Sequence, residues 1–179
     1  MNFVAMDFET ASRKRASACS IALTLVENDQ VTSKFYSLIN PETNFDWQNI
    51  KVHGIHEADV LGAPTFPMIW DHIQDLFASQ QLIVAHNASF DNSVLKKSLE
   101  RYAIPLVKYP PTLDTVKTSR NFYPQFENYK LNTVCDQLNI TLENHHNALD
   151  DSVACANILI AQEQQFGHAA ISPFIKMQN

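Results

Sequence analysis

The run Phe3-Val4-Ala5-Met6 continues into Asp7-Phe8-Glu9-Thr10, so a segment apolar enough for a central strand carries two acids at its carboxyl end. Such a run belongs inside a sheet, with both faces covered. Strand side chains alternate, so Asp7 and Glu9, two residues apart, point to one face. Two carboxylates side by side repel, and one stays protonated unless something positive sits between them. A divalent cation is the economical solution, which makes the end of this strand the first place to look for chemistry.

Three more residues complete a pattern suited to phosphodiester hydrolysis. Asp91 lies in Ala85-His86-Asn87-Ala88-Ser89-Phe90-Asp91, after the short strand-like run Gln81-Leu82-Ile83-Val84 and at the start of a helix reaching about Tyr102. On that helix Asp91 is in phase with Val94, Leu95 and Ser98, so it faces the interior, where a carboxylate needs a partner. His146 and Asp151 come from His145-His146-Asn147-Ala148-Leu149-Asp150-Asp151, ahead of a helical stretch to about Gln165. Five residues span about 140° of a helix, so His146 is expected in the loop and Asp151 in the first turn. From the residues alone, His145 stands as an alternative to His146, and Asp150 to Asp151.

Asp7-Phe8-Glu9-Thr10, His86-Asn87-Ala88-Ser89-Phe90-Asp91 and His146-Asn147-Ala148-Leu149-Asp150-Asp151 resemble the three motifs of the DnaQ-like, or DEDDh, family of 3′ to 5′ exonucleases. Val52-His53-Gly54-Ile55 and Lys130-Leu131-Asn132-Thr133 resemble intervening family segments, so the likeness covers nearly the whole chain. The resemblance implies an α/β, ribonuclease H-like fold with a five-stranded mixed sheet, its first three strands antiparallel, flanked by helices. It implies two Mg²⁺ or Mn²⁺ ions held by Asp7, Glu9, Asp91 and Asp151, with His146 taking a proton from the attacking water. By the same resemblance Thr10 meets the terminal 3′-hydroxyl, while Ile55 and Phe90 pack against the last bases. The expected substrate is the 3′ end of a single strand, DNA ahead of RNA. RNA trimming is the alternative, and a non-catalytic metal- or nucleic-acid-binding module the runner-up. Polymerase association fits the family, although no tethering extension is visible.

Composition is consistent with this expectation. With 179 residues, 45% apolar and 18% charged, the chain can bury a full core, and an exonuclease domain over 1–166 with a short tail over 167–179 is expected. No leader-like segment and no apolar run of spanning length is present, so the expected location is cytoplasmic and not membrane-bound. Cys19, Cys135 and Cys155 lack metal-type spacing and read as reduced core residues. The net charge of −6 opposes nucleic-acid binding, yet seven of the thirteen Lys and Arg residues fall between Lys96 and Lys130, and Arg13, Lys14 and Arg15 form a second cluster. Bound dications would offset the clustered acids.

Periodicity and turn residues predict strands at Phe3–Phe8, Ala18–Val26 and Val31–Ile39, the last two joined across a polar turn at Glu27-Asn28-Asp29-Gln30. Further on they predict helices near Met68–Ser79, after Ala88, and at Thr115–Arg120, Leu131–Leu138 and Ala148–Gln165, with short strands at Leu82–Ala85 and Thr112-Leu113.

Overall fold

The computed structural model of the chain describes residues 1–78, 80–106 and 108–177. Strands β1 (Phe3–Thr10), β2 (Ala18–Glu27) and β3 (Gln30–Leu38) form an antiparallel meander. The β2–β3 hairpin turns on Asn28 and Asp29, both at positive φ (51° and 60°), the backbone that a two-residue turn requires and that these residue types tolerate. Two short helices follow, α1 (Trp47–His53) and α2 (Glu57–Val60), then α3 (Phe66–Ile73), which runs into a 3₁₀ turn at Gln74–Phe77. The helix expected at Met68–Ser79 therefore starts earlier, with Pro67 in the first turn where its missing N–H costs nothing, and its end at Ser79 lies outside the described residues.

Strand β4 (Ile83–Ala85), helix α4 (Ala88–Arg101), strand β5 (Thr112–Asp114) and helices α5 (Thr115–Phe122), α6 (Leu131–Leu138), α7 (Ala148–Phe166) and α8 (His168–Ile171) complete the order. The five strands form one mixed sheet in the order β3-β2-β1-β4-β5, with β1, β4 and β5 mutually parallel. The segment after Gly167 packs down on this sheet. Ile171 is fully buried, and Thr112 and Lys176 exchange backbone hydrogen bonds of 2.8 Å.

Alternation along β1 sorts the core into two layers. Val4, Met6 and Phe8 pack with Phe66, Trp70, Val94, Leu95 and Leu99 of α3 and α4. Phe3 and Ala5 pack on the other face with Val84, Leu113, Cys155, Ala156 and Leu159. That second layer is dominated by α7, and Asp7 and Glu9 share its face. A buried polar contact pins α7 to the sheet, because the hydroxyls of Thr24 on β2 and Ser152 on α7 lie 2.8 Å apart with no solvent exposure. Ser152→Ala is expected to leave the Thr24 hydroxyl unpaired and cost about 1–3 kcal/mol in denaturant unfolding.

Candidate active site

Because β1, β4 and β5 run parallel, their carboxyl ends open on one side of the sheet, next to the strand where pairing changes from antiparallel to parallel. Crevices at such ends are where open α/β sheets bind ligands. Here a cavity of about 550 Å³ is lined by Asp7, Phe8 and Glu9 from β1, His86 and Phe90 from the β4–α4 connection, Lys130 to Asn132, and His145, His146 and Asp151.

Each acid reaches this place by a local rule. Asp7 and Glu9 project from alternate positions of β1 toward α7. Asp151 sits in the first turn of α7, one turn before Cys155 on the stripe that faces the sheet, and is 5% exposed. Its neighbour Asp150 turns away and accepts a 2.8 Å hydrogen bond from Asn144. Carboxylate oxygens of Asp7, Glu9 and Asp151 lie within 4.8 Å of one another. Asp91 arrives from the opposite layer. Asn87, in the left-handed region at φ 74°, makes the turn into α4, and the buried Asp91 Oδ1 then accepts the Phe8 backbone N–H at 3.0 Å. It is not one of the three acids whose oxygens meet within 4.8 Å.

Burial and mutual repulsion set the charge state. Asp7 is raised well above the usual carboxylate range by burial first, then by Asp91, Glu9 and Asp151. Burial, with Asp151 and Asp91, pushes Glu9 up to about 8. Asp91 is pushed up to about 8 by burial, against the stabilising Phe8 N–H. Asp151 is raised by burial too, although its two histidine neighbours oppose the shift. Carboxyl groups crowded together resist ionisation unless a cation relieves them, and the oxygens of Asp7, Glu9 and Asp151 lie close enough to share one. All four offer hard oxygen donors, the set that suits Mg²⁺ or Mn²⁺.

His145 and His146 occupy the loop before α7. The His146 backbone N–H donates to Asp151 Oδ2 at 3.0 Å, while His145 Nδ1 lies 3.2 Å from Asp151 Oδ1. Burial and the neighbouring His145 hold the His146 imidazole below its ordinary value, against the pull of Asp151. The contact between His145 and the acid was beyond sequence reasoning, since only the fold of the loop creates it.

A second cleft of about 390 Å³ adjoins the first and shares Glu9 and Phe90 with it; Thr10, Arg13, Arg15, Asn49 and His53 are also in its wall. Asn49 donates to the Thr10 carbonyl at 2.8 Å and to its hydroxyl at 3.2 Å, fixing the end of β1. The Arg15 guanidinium lies 4.2 Å over the Phe90 ring. Ile55 is half-buried, its N–H bonded to His53 Nδ1 at 3.0 Å, and it lines neither cleft. Sequence reasoning passed over Asn49 and named Arg15 only as part of a basic cluster. The Arg13–Arg15 cluster gave a hint of the second, while nothing in the local pattern marked the first. Of the other predicted cations, Lys130 lines the first cavity, whereas Lys97 is paired with Glu100 at 2.6 Å on the outer face of α4. His86 is an internal strut, 2.8 Å from the Thr115 hydroxyl and 2.9 Å from the Tyr129 carbonyl, and burial lowers its basicity.

An exonuclease family model, RNase T in type, matches residues 4–159. The chain belongs to this DnaQ-like exonuclease family. The exonuclease domain is 33% identical over 159 residues to the PolC-type DNA polymerase III of Clostridium perfringens, a match covering 88% of this chain and 11% of that protein. It therefore spans about a tenth of the polymerase relatives it matches. Its fold is ribonuclease H-like. It superposes on Exonuclease X in complex with 5′ overhanging duplex DNA at a TM-score of 0.77, with 24% identity, covering 96% of this chain and 98% of that one. It also matches the nuclease domain of 3′hExo, a DEDDh family member bound to rAMP, at a TM-score of 0.79 and 18% identity, covering 99% and 96% of the two chains. Exonucleases of this family depend on divalent metal ions, and the acidic group of the cavity fits that requirement. Among the described residues no helix is long and apolar enough to cross a membrane.

Proposed function

We propose that this exonuclease removes nucleotides one at a time from the 3′ end of single-stranded DNA, using Asp7, Glu9, Asp91 and Asp151 to hold two divalent ions. The observation that carries this reading is the meeting of three carboxylates within 4.8 Å in a cavity that His146 also lines. Mg²⁺ or Mn²⁺ bound there would supply Lewis acidity and charge neutralisation at the scissile phosphate.

The remaining tasks fall to side chains of the chain. His146, whose basicity burial and His145 lower, accepts a proton from the water that attacks phosphorus. The P–O bond to the preceding sugar breaks, and its 3′-oxygen takes a proton from solvent. The products are a 5′-nucleoside monophosphate and a strand shorter by one residue. Thr10, held by Asn49, would meet the terminal 3′-hydroxyl, and Phe90, which lines both clefts, would stack on the last base. Ile55, which lines neither cleft, would reach the last bases from outside these walls. Stacking contacts of this kind tolerate any base. Arg13, Arg15 and Lys130 stand at the cavity edges to meet phosphates, which offsets the chain's net negative charge locally. Proofreading beside a polymerase is a context this activity fits, and the likeness to PolC-type DNA polymerase III supports it.

Phe90→Ala is expected to raise KM by about tenfold, the loss of one stacked base, with a smaller change in kcat. Trimming of RNA is the second reading, favoured by the structural likeness to a nuclease domain bound to rAMP. Both are tested with 5′-labelled DNA and RNA strands of matched sequence, with Mg²⁺, Mn²⁺ or chelator. The proposal predicts a ladder shortening one nucleotide at a time, absent in chelator and faster on DNA. A faster ladder on RNA would reverse the substrate assignment, and no ladder on either would overturn the activity.

A further inference from the structure

Asp151 belongs to two groups of metal-ligating side chains at once. One is the oxygen-only group with Asp7 and Glu9. The other joins Asp151 to His145 and His146, whose ligand atoms also lie within 4.8 Å of one another. This second group is a product of the loop geometry. The backbone at His146 has φ 69°, which brings two consecutive side chains to the same side, and their rings stack at 3.9 Å with an angle of 23° between planes. His145 Nδ1 already approaches Asp151 Oδ1 to 3.2 Å. Both rings are open to solvent, so an ion can reach them and they can turn toward it.

The two groups differ in chemistry although they share a residue. Three carboxylates suit Mg²⁺, which binds oxygen and rarely imidazole. Two imidazoles and a carboxylate are the donors that Zn²⁺, Ni²⁺ and Cu²⁺ prefer, and these ions outcompete Mn²⁺ for nitrogen ligands. We propose that His145, His146 and Asp151 form a separate site for a borderline transition ion such as Zn²⁺, and that filling it shuts the exonuclease down. An ion in this site draws Asp151 away from Asp7 and Glu9 and occupies the nitrogen lone pair of His146 that would accept a proton. Inhibition by Zn²⁺ in the presence of ample Mg²⁺ follows from the shared ligand. The inhibitory consequence rests on the proposed function; the binding does not.

The plainer role for His145 is to orient Asp151 through a hydrogen bond. His145→Asn separates the two, since the amide nitrogen can still donate to the carboxylate but offers no imidazole. Zn²⁺ is titrated calorimetrically into the whole chain in saturating Mg²⁺ without nucleic acid, and Co²⁺ is used as a visible-absorbance reporter of nitrogen ligation. The wild-type chain is expected to bind one Zn²⁺, with affinity at least about tenfold higher than His145→Asn, and to show a Co²⁺ spectrum that the variant lacks. The Zn²⁺ concentration that halves degradation, relative to the zinc-free rate of each protein, is expected to shift by the same factor. Equal Zn²⁺ affinity in both proteins would overturn the site, and a filled site without inhibition would overturn the switch. Because the calorimetry involves no substrate, a chain lacking exonuclease activity would still report on the site, so the two readings fail separately.

Discussion

Asp7→Asn is expected to abolish exonuclease turnover, by about 10³-fold or more, while making the metal-free protein more stable. The loss of activity reflects the removal of a ligand from a group that provides about 4 kcal/mol or more of transition-state stabilisation. The gain in stability has a different origin. Glu9 titrates near 8 in the fold against about 4.5 in an unfolded chain, because burial and the neighbouring acids resist its ionisation. A carboxyl group raised in this way binds more protons when folded than when unfolded, so folding is favoured least where the unfolded chain has ionised. The penalty is absent below about pH 4.5, grows as pH rises through the interval, and is complete above about 8. Asp7 is itself raised well above the carboxylate range by burial and by Asp91, Glu9 and Asp151, so an uncharged amide there removes a penalty of the same kind. At pH 8 in chelator, Asp7→Asn is expected to melt roughly 2–8 °C above wild type, equivalent to about 1–2 kcal/mol, with little difference at pH 4.5. Added Mg²⁺ should narrow the gap by stabilising wild type more than the variant. Thermal melts across this range check all three statements, and a variant that melts lower than wild type at pH 8 would contradict the repulsion on which the cation site rests.

His146→Ala is expected to lower kcat by about 10²- to 10⁴-fold with metal binding retained, the usual worth of a positioned proton acceptor. Burial keeps His146 below the ordinary imidazole range, so its neutral form persists into mildly acidic solution. The wild-type rate is therefore expected to hold down to a pH below the usual imidazole value of about 6.5 and then fall as the ring takes up a proton. The variant should show no such limb. His145→Asn is expected to cost far less in the absence of transition ions. A larger loss at His145 than at His146, in single-turnover pH profiles, would transfer the proton-accepting role to the neighbour that touches Asp151 directly.

The parts of this site that were legible in the sequence are those governed by local periodicity. Strand alternation put Asp7 and Glu9 on one face, and helical phase turned Asp91 inward with Val94, Leu95 and Ser98. Helix phase also separates Asp151 from Asp150, but only once α7 is known to start at Ala148 and to lie against β1 and β2. The two short helices Trp47–His53 and Glu57–Val60 were hidden because each is under two turns long and lies in a stretch punctuated by Gly54, Gly62 and Pro64. Contacts across the fold were equally hidden. Asn49 meets Thr10 from 39 residues away, and the Asp91 carboxylate meets the Phe8 amide from 83. Pairing between His145 and Asp151 depends on the backbone at His146 adopting positive φ, a choice the loop makes to satisfy Asp151 with its own amide.

The most direct test of the carboxylate cluster counts ions and follows rate on the same samples. Mn²⁺ is titrated into wild type, Asp7→Asn and Asp151→Asn, free Mn²⁺ is read by electron paramagnetic resonance, and degradation of a single-stranded DNA is measured at each point. The proposed mechanism predicts two ions per wild-type chain, a rate that rises with filling of the second, and weakened binding together with lost activity in both variants. Full activity in chelator, or wild-type ion binding in the two variants, would contradict the placement of the ions among Asp7, Glu9, Asp91 and Asp151.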